Sequence, residues 1–343
     1  MSSTTQGSSP GASHELVTVG RVGVDLYPAV SGVSLKDVPL FHRYLGGTAT
    51  NVAVAAARYG HRTAVVTRVG AEGFGPYVRQ ALADFGVDTR YVTTHPVLKT
   101  PIVFCELFPP DNFPITFYRE PMAPDMDLTA ADFPMAEVCR ADILWVTGTG
   151  FSAEPSRSTT LKLLEMRHRQ GLVVLDIDYR PMFWEDPAAA RRELGKAASL
   201  ATAVIGNLEE VEVVTGSSDP EIACQQLLAM GASLVIVKMG PGGVFATDGD
   251  VQVQAQPVPV QVVNGLGAGD AFGGALCHGL LKGWPLDATI QFANAAGAYV
   301  AAQLACADAM PTEEAVRLLL AGDRAPSSAG HPSGQAGRDG EAE

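Results

Sequence analysis

Residues 262 to 282, VVNGLGAGDAFGGALCHGLLK, carry the densest chemistry in the chain: a β-type run ends in a glycine-rich turn that continues straight into a helix. Gly267, Ala268 and Gly269 keep the backbone bare, so their N–H groups and the positive end of the helix can converge on one anionic group. Asp270 stands in the first turn, where a carboxylate is tolerated electrostatically and can accept a proton from a hydroxyl. An anion cradle beside a base suits phosphoryl transfer to an alcohol. Read alone, the same residues also make an ordinary tight turn with an aspartate at a helix start. Partners elsewhere in the chain decide between the two.

Several stretches supply such partners. In GGTATNVAVAAARYG, residues 46 to 60, Gly46 and Gly47 open an alanine-rich helix that Gly60 ends, and Asn51 offers the donor and acceptor that sugar hydroxyls require. LVTVG, residues 16 to 20, is a β-run with Asp25 just beyond its end, and open parallel sheets bind ligands outside the carboxyl ends of their strands. In LVVLDIDYRP, residues 172 to 181, Asp176, Asp178 and Arg180 alternate and would share one face of an extended chain. Arg180 there can brace a phosphate or pair with an aspartate. Asn207 and Glu210 form an NxxE element at a strand-to-helix turn, which also reads as a capping box. Gly240, Gly242 and Gly243 leave room for a flat or phosphorylated ligand between two strands.

These residues sit in an alternating β/α pattern, which argues for an α/β fold with a mostly parallel sheet. Two stretches break that rhythm, 26 to 45 and 97 to 121. Both hold extended, proline-containing runs, and together they are expected to form a β-rich lid. Lys99 and Arg119 stand at the two ends of the second stretch, where they can reach a ligand or merely guard a sheet edge. The DFG triplet at residues 84 to 86 lacks the HRD and VAIK partners of a protein kinase, and Gly86 ends a helix. No GxxxxGK[ST] loop, dinucleotide GxGxxG or HExxH is present.

The chain has 343 residues, 47% of them hydrophobic, enough for one large core. Its 37 acidic and 24 basic residues give a net charge of −13, which argues against nucleic-acid and anionic-membrane surfaces. The five cysteines are scattered and form no CxxC pair, so neither a disulfide framework nor a zinc site is indicated. The first residues lack the charge and apolar core of a signal peptide, and no apolar run is long enough for a membrane span. A cytoplasmic protein is expected, with a disordered tail at 1–13, a folded domain at 14–321 and a disordered tail at 322–343.

The two glycine motifs resemble the paired signatures of the ribokinase-like, or pfkB, family of carbohydrate kinases. Gly46, Gly47 and Asn51 match the first signature, whose residues contact the sugar. Gly267, Ala268, Gly269 and Asp270 match the second, which supplies the anion hole and the catalytic base. The resemblance implies a three-layer sandwich, a mostly parallel central sheet flanked by helices, with a small β-rich lid. It also implies ATP and Mg2+, the metal meeting Glu210 through water, with Asn207 and Arg180 in the phosphate network. Lys238, Gly240, Gly242 and Gly243 fall on the nucleotide side, and Asn294 falls where related kinases meet the adenine. Asn264 stands where the family has aspartate, which leaves a monovalent cation open.

Within the family, GRVGVDLYP, FYRE, DIDYRPMFW and ACADAMPT are similar to stretches of the kinases that phosphorylate the 6-hydroxyl of 5-dehydro-2-deoxygluconate in myo-inositol breakdown. An acid sugar would meet Asp25, Gly46, Gly47 and Asn51 at its hydroxyls and Arg21, Arg119 or Lys99 at its carboxylate. The alternatives are a 2-keto-3-deoxygluconate kinase, another sugar or nucleoside kinase, and a catalytically silent sugar-binding regulator. The expected partners are the acid sugar and ATP, with a homodimer left open.

Overall fold

The computed structural model describes residues 13 to 322. Apart from Ser13 and Gly322, the two expected tails lie outside the described residues. Strands β1 (Leu16–Val19), β2 (Gly23–Pro28) and β3 (Phe41–Gly46) lead into helix α1 (Thr48–Arg58), β4 (Thr63–Gly70) and α2 (Phe74–Asp84). Strands β5 (Val92–His95), β6 (Ile102–Cys105) and β7 (Ile115–Tyr118) precede the short α3 (Met135–Val138). Alternation then resumes through β8 (Ile143–Thr147), α4 (Ser156–Arg167), β9 (Leu172–Asp176), α5 (Pro187–Leu200), β10 (Ala203–Asn207), α6 (Leu208–Thr215) and α7 (Pro220–Ala229). The chain continues as β11 (Leu234–Lys238), β12 (Val244–Thr247), β13 (Gln252–Ala255), α8 (Ala268–Leu281), α9 (Leu286–Ala301) and α10 (Glu313–Leu320).

Nine strands form one sheet in the order β13-β12-β11-β10-β9-β8-β1-β4-β5. Strands β5 to β11 in that row pair in parallel, whereas β12 and β13 close one edge in antiparallel fashion. Parallel strands covered on both faces read as continuous apolar runs, and all five residues of β8 are buried. Alternate side chains of β8 part to opposite faces: Leu144 and Val146 pack with Leu163 of α4 and Leu194 of α5, Ile143 and Trp145 with Val52 of α1 and Leu276 of α8. Helices thus cover both faces, giving the three layers that the family resemblance implies.

The second sheet is small and separate, ordered β3-β2-β6-β7. It is built from the two stretches that interrupt β/α alternation. Asp25, just beyond the end of β1 as the sequence suggests, stands in the middle of β2, where it pairs with Tyr44 and Val103. Its side chain therefore hangs from the underside of the lid.

Helices α1 and α8 meet closely because glycines line the contact. A Cβ at Gly274 would collide with Ala55 of α1, and one at Gly273 would lie 2.7 Å from the Trp145 ring. Glycine within a helix costs roughly 1 kcal/mol in propensity, and here it permits the approach that joins the two signature motifs.

Candidate active site

The motif at the start of α8 forms as the bare backbone allows. Gly267 adopts φ 80°, a left-handed conformation suited to glycine, and no side chain caps the helix among the described residues. The first N–H groups of α8 consequently lack intrahelical partners and open on a cleft of about 820 Å³. Helix α1 also starts at a positive-φ glycine without a side-chain cap, Gly47, with φ 102°. A Cβ there would lie 2.7 Å from the Cα of Val22.

Asn51 and Asp270 meet across these two helix starts: Asn51 Nδ2 donates to Asp270 Oδ2 at 2.7 Å. Burial raises the Asp270 carboxyl to about 6, against the opposing effect of the Asn51 hydrogen bond. Asp270 is therefore ionised at neutral pH yet basic enough to take a proton from an alcohol in the transition state. Asp25 is pushed up further, to about 7, by burial first, with Arg21 and the Tyr27 hydroxyl pulling it down.

Cations surround the same space. Arg21 is buried; its Nη2 donates to Asp178 Oδ2 at 3.0 Å and to Thr48 Oγ1 at 2.7 Å, while its Nε has no partner among the described residues. Asp178 also pairs with Arg180 at 3.0 Å, so one carboxylate holds two guanidinium groups. Extended alternation does not account for this, because Asp178 has φ 33° and β9 ends at Asp176. Lys238, at the end of β11, is held above its usual range by Asp176 and Glu210 against the opposing effect of burial. Asp176 itself is raised by burial, which favours its neutral form.

Asn207 and Glu210 make both halves of a capping box at the start of α6, Asn207 Oδ1 accepting from Glu210 N at 2.9 Å and Glu210 Oε2 accepting from Asn207 N at 2.7 Å. Glu210 Oε1 stays turned toward Arg180, 3.9 Å away. Capping and a place in the charge network are here one arrangement. The described residues contain no group of three or more His, Cys, Asp or Glu side chains that would hold a metal by themselves. Such a site fits Mg2+, which keeps several waters and binds through one or two carboxylates together with substrate phosphates.

Most of the residues singled out in the sequence line this one cleft: Arg21, Asp25, Gly47, Asn51, Arg180, Asn207, Glu210, Lys238, Gly240, Gly243, Asn294 and the Gly267 to Asp270 turn. Gly46, Gly242, Lys99 and Arg119 do not. Gly46 acts indirectly, since a Cβ there would collide with the Asp25 carboxylate. Arg119 is committed to Asp125 at 2.6 Å. Asn294 lines the cleft, but its Nδ2 donates to the Gln256 carbonyl at 2.7 Å, fixing the loop that forms one wall. Asn264 is fully buried, donates to the Leu304 carbonyl at 2.7 Å and accepts from Leu266 N at 3.0 Å. Sequence reading missed Tyr27, Thr48 and Cys306, all on the cleft wall. Only a register for β2 would have shown Tyr27 sharing the Asp25 face.

The model of the pfkB family carbohydrate kinases matches residues 13–313. The chain belongs to the pfkB family of carbohydrate kinases. A 5-dehydro-2-deoxygluconokinase from Photobacterium profundum is 33% identical over 309 residues, which cover 88% of this kinase and 92% of that protein. A PfkB protein from Polaromonas sp. JS666 superposes with a TM-score of 0.79 at 25% identity, covering 89% of this chain and 99% of that one. A sugar kinase from Pyrococcus horikoshii, solved in complex with ATP, has a TM-score of 0.76 and 27% identity, covering 87% and 96% respectively. The kinase is thus an ATP-dependent phosphotransferase with the ribokinase-like fold.

Proposed function

We propose that this kinase transfers the γ-phosphate of ATP to the 6-hydroxyl of 5-dehydro-2-deoxygluconate. The observation that carries the choice of an acid sugar is Arg21: it is buried on the cleft wall, and its Nε has no partner among the described residues. Of the three cations considered for the carboxylate, Arg119 is taken by Asp125 and Lys99 does not line the cleft. An arginine with an open N–H beside the cleft is suited to a carboxylate oxygen. The name carried by the Photobacterium relative supports the same substrate.

In this reading Asp25 and Asn51 hold the sugar hydroxyls beneath the lid, and Asp270 takes the proton of the attacking hydroxyl. The open N–H groups at Gly267 to Gly269 stabilise the charge on the transferring phosphoryl group, with Arg180 and Lys238 beside it. Glu210 would meet Mg2+ through water; when bound, that ion neutralises phosphate charge. The cleft wall beyond Gly240 and Gly243 takes the nucleotide. A cytoplasmic location belongs to the proposal, supported by five free cysteines and by the absence, among the described residues, of a helix long and apolar enough to cross a membrane.

The test is an ATP-consumption screen over 5-dehydro-2-deoxygluconate, 2-keto-3-deoxygluconate, fructose, ribose and adenosine, with the product identified. A buried guanidinium N–H left without an acceptor disfavours neutral analogues, so kcat/KM for the acid sugar should exceed that for fructose or ribose by about 10³. Arg21→Met should narrow the gap by harming the acid substrate. Equal use of a neutral sugar would overturn the substrate assignment.

A further inference from the structure

Tyr27 is fully buried in β2, and its hydroxyl stands among Asp25, Cys306 and Cys105 on the cleft wall, Cys105 also lying within its hydrogen-bonding reach. The hydroxyl donates to Asp25 Oδ2 at 3.3 Å and lies 2.8 Å from Cys306 Sγ. It has one proton, so the arrangement that satisfies Cys306, Tyr27 and Asp25 together runs in one direction: Cys306 S–H donates to the Tyr27 oxygen, and Tyr27 O–H donates to the Asp25 carboxylate. Cys306 in turn backs the anion-hole turn, because a Cβ at Gly267 would lie 2.6 Å from its Sγ. A strand of the lid is thereby connected to the start of α8 through a buried side-chain relay.

We propose that Tyr27 is a positioning residue for acceptor binding, holding the Asp25 carboxylate in its sugar-facing orientation and tying the lid to the anion-hole turn through Cys306. The proposal rests on the reading that Asp25 meets the acceptor sugar. Asp25 is faced by Arg21 from the loop after β1, Asp270 from α8, Tyr77 from α2 and Cys105 from β6, besides Tyr27 and Cys306. Arg21 and Tyr27 favour its charged form, while burial and Asp270 oppose it. Loss of the Tyr27 hydroxyl therefore moves Asp25 toward protonation at a given pH, and a protonated Asp25 accepts fewer hydrogen bonds from sugar hydroxyls.

The experiment compares Tyr27→Phe, Cys306→Ser, Cys306→Ala and Asp25→Asn with the parent in steady-state kinetics from acid to alkaline pH. Tyr27→Phe keeps the ring that packs 5.4 Å from Tyr44, so the fold should be retained. The acceptor KM should rise roughly tenfold, as expected for a lost hydrogen bond to a charged group. The KM for ATP should stay within about twofold, and the acidic limb of kcat/KM for the acceptor should move to higher pH. Cys306→Ser, which keeps a donor, should resemble the parent, whereas Cys306→Ala should shift in the direction of Tyr27→Phe. A raised acceptor KM in Asp25→Asn with an unchanged KM and pH profile in Tyr27→Phe overturns the Tyr27 link alone. An unchanged acceptor KM in Asp25→Asn overturns the placement of the sugar, and the proposal with it.

Discussion

Asn51 Nδ2 and Asp270 Oδ2 are 2.7 Å apart although the residues are separated by 219 positions in sequence. The bond joins the first turns of α1 and α8, so the group proposed to read the acceptor and the group proposed to deprotonate it are held as one unit. Glycines at 273 and 274 make it possible by letting α1 and α8 touch.

The first prediction concerns that bond. As the proposed base, Asp270 works only when ionised, and its folded pKa is about 6, so kcat/KM should fall as pH drops through that value. The Asn51 N–H favours the charged form; Asn51→Ala should therefore raise the pKa of Asp270. A hydrogen bond to a charged group is worth roughly 1.5–3 kcal/mol, which corresponds to an upward move of about one pH unit or more in the acidic limb. The check is the pH profile of kcat/KM. An unmoved limb would show that Asn51 does not govern the base.

A second prediction concerns the lid. Phe113, between β6 and β7, packs against Gly265, and Pro110 and Asp111 line the cleft, so the hairpin tip reaches the segment that leads into the anion hole. Closure would exclude water as a competing acceptor. Removing about Pro109 to Pro114 should increase ATP hydrolysis relative to sugar phosphorylation. ATP consumption is compared with sugar phosphate formed, in a variant whose circular dichroism matches the parent. Unchanged coupling counts against the lid.

Much of this site is legible in the sequence, and the reasons are local. The turns at 46–47 and 267–269 need bare backbone, NxxE carries its own cap, and a break in β/α alternation marks each piece of the lid. What is not legible depends on partners far along the chain. Nothing near Arg21 predicts Thr48, 27 positions on, or Asp178, 157 positions on. Gly46 reads as a ligand contact, yet its lack of a side chain makes room for Asp25. The sharing of Asp178 between two arginines arises from a left-handed backbone that an aspartate in a β-like run does not announce.

The third prediction uses Asn264. Its amide donates to the Leu304 carbonyl at 2.7 Å in a fully buried position, so a carboxylate there would lose the donor and face a carbonyl oxygen. Asn264→Asp should cost about 3–5 kcal/mol as an uncompensated buried charge. A small cation can offset that charge. Potassium chloride should therefore raise the Tm of the variant more than tetramethylammonium chloride at equal ionic strength, and should raise that of the parent no more than the control salt does. Equal responses of parent and variant would refute this role for the amide.

Asp270→Asn directly tests the proposed role of Asp270 as the base beside the open N–H groups of α8. The substitution keeps size and shape but removes the proton acceptor. Single-turnover phosphorylation of the acid sugar, measured alongside equilibrium binding of sugar and ATP, should fall by about 10²- to 10⁴-fold while both affinities change little. A rate within about threefold of the parent, well below that range, would contradict the assignment of Asp270 as the base.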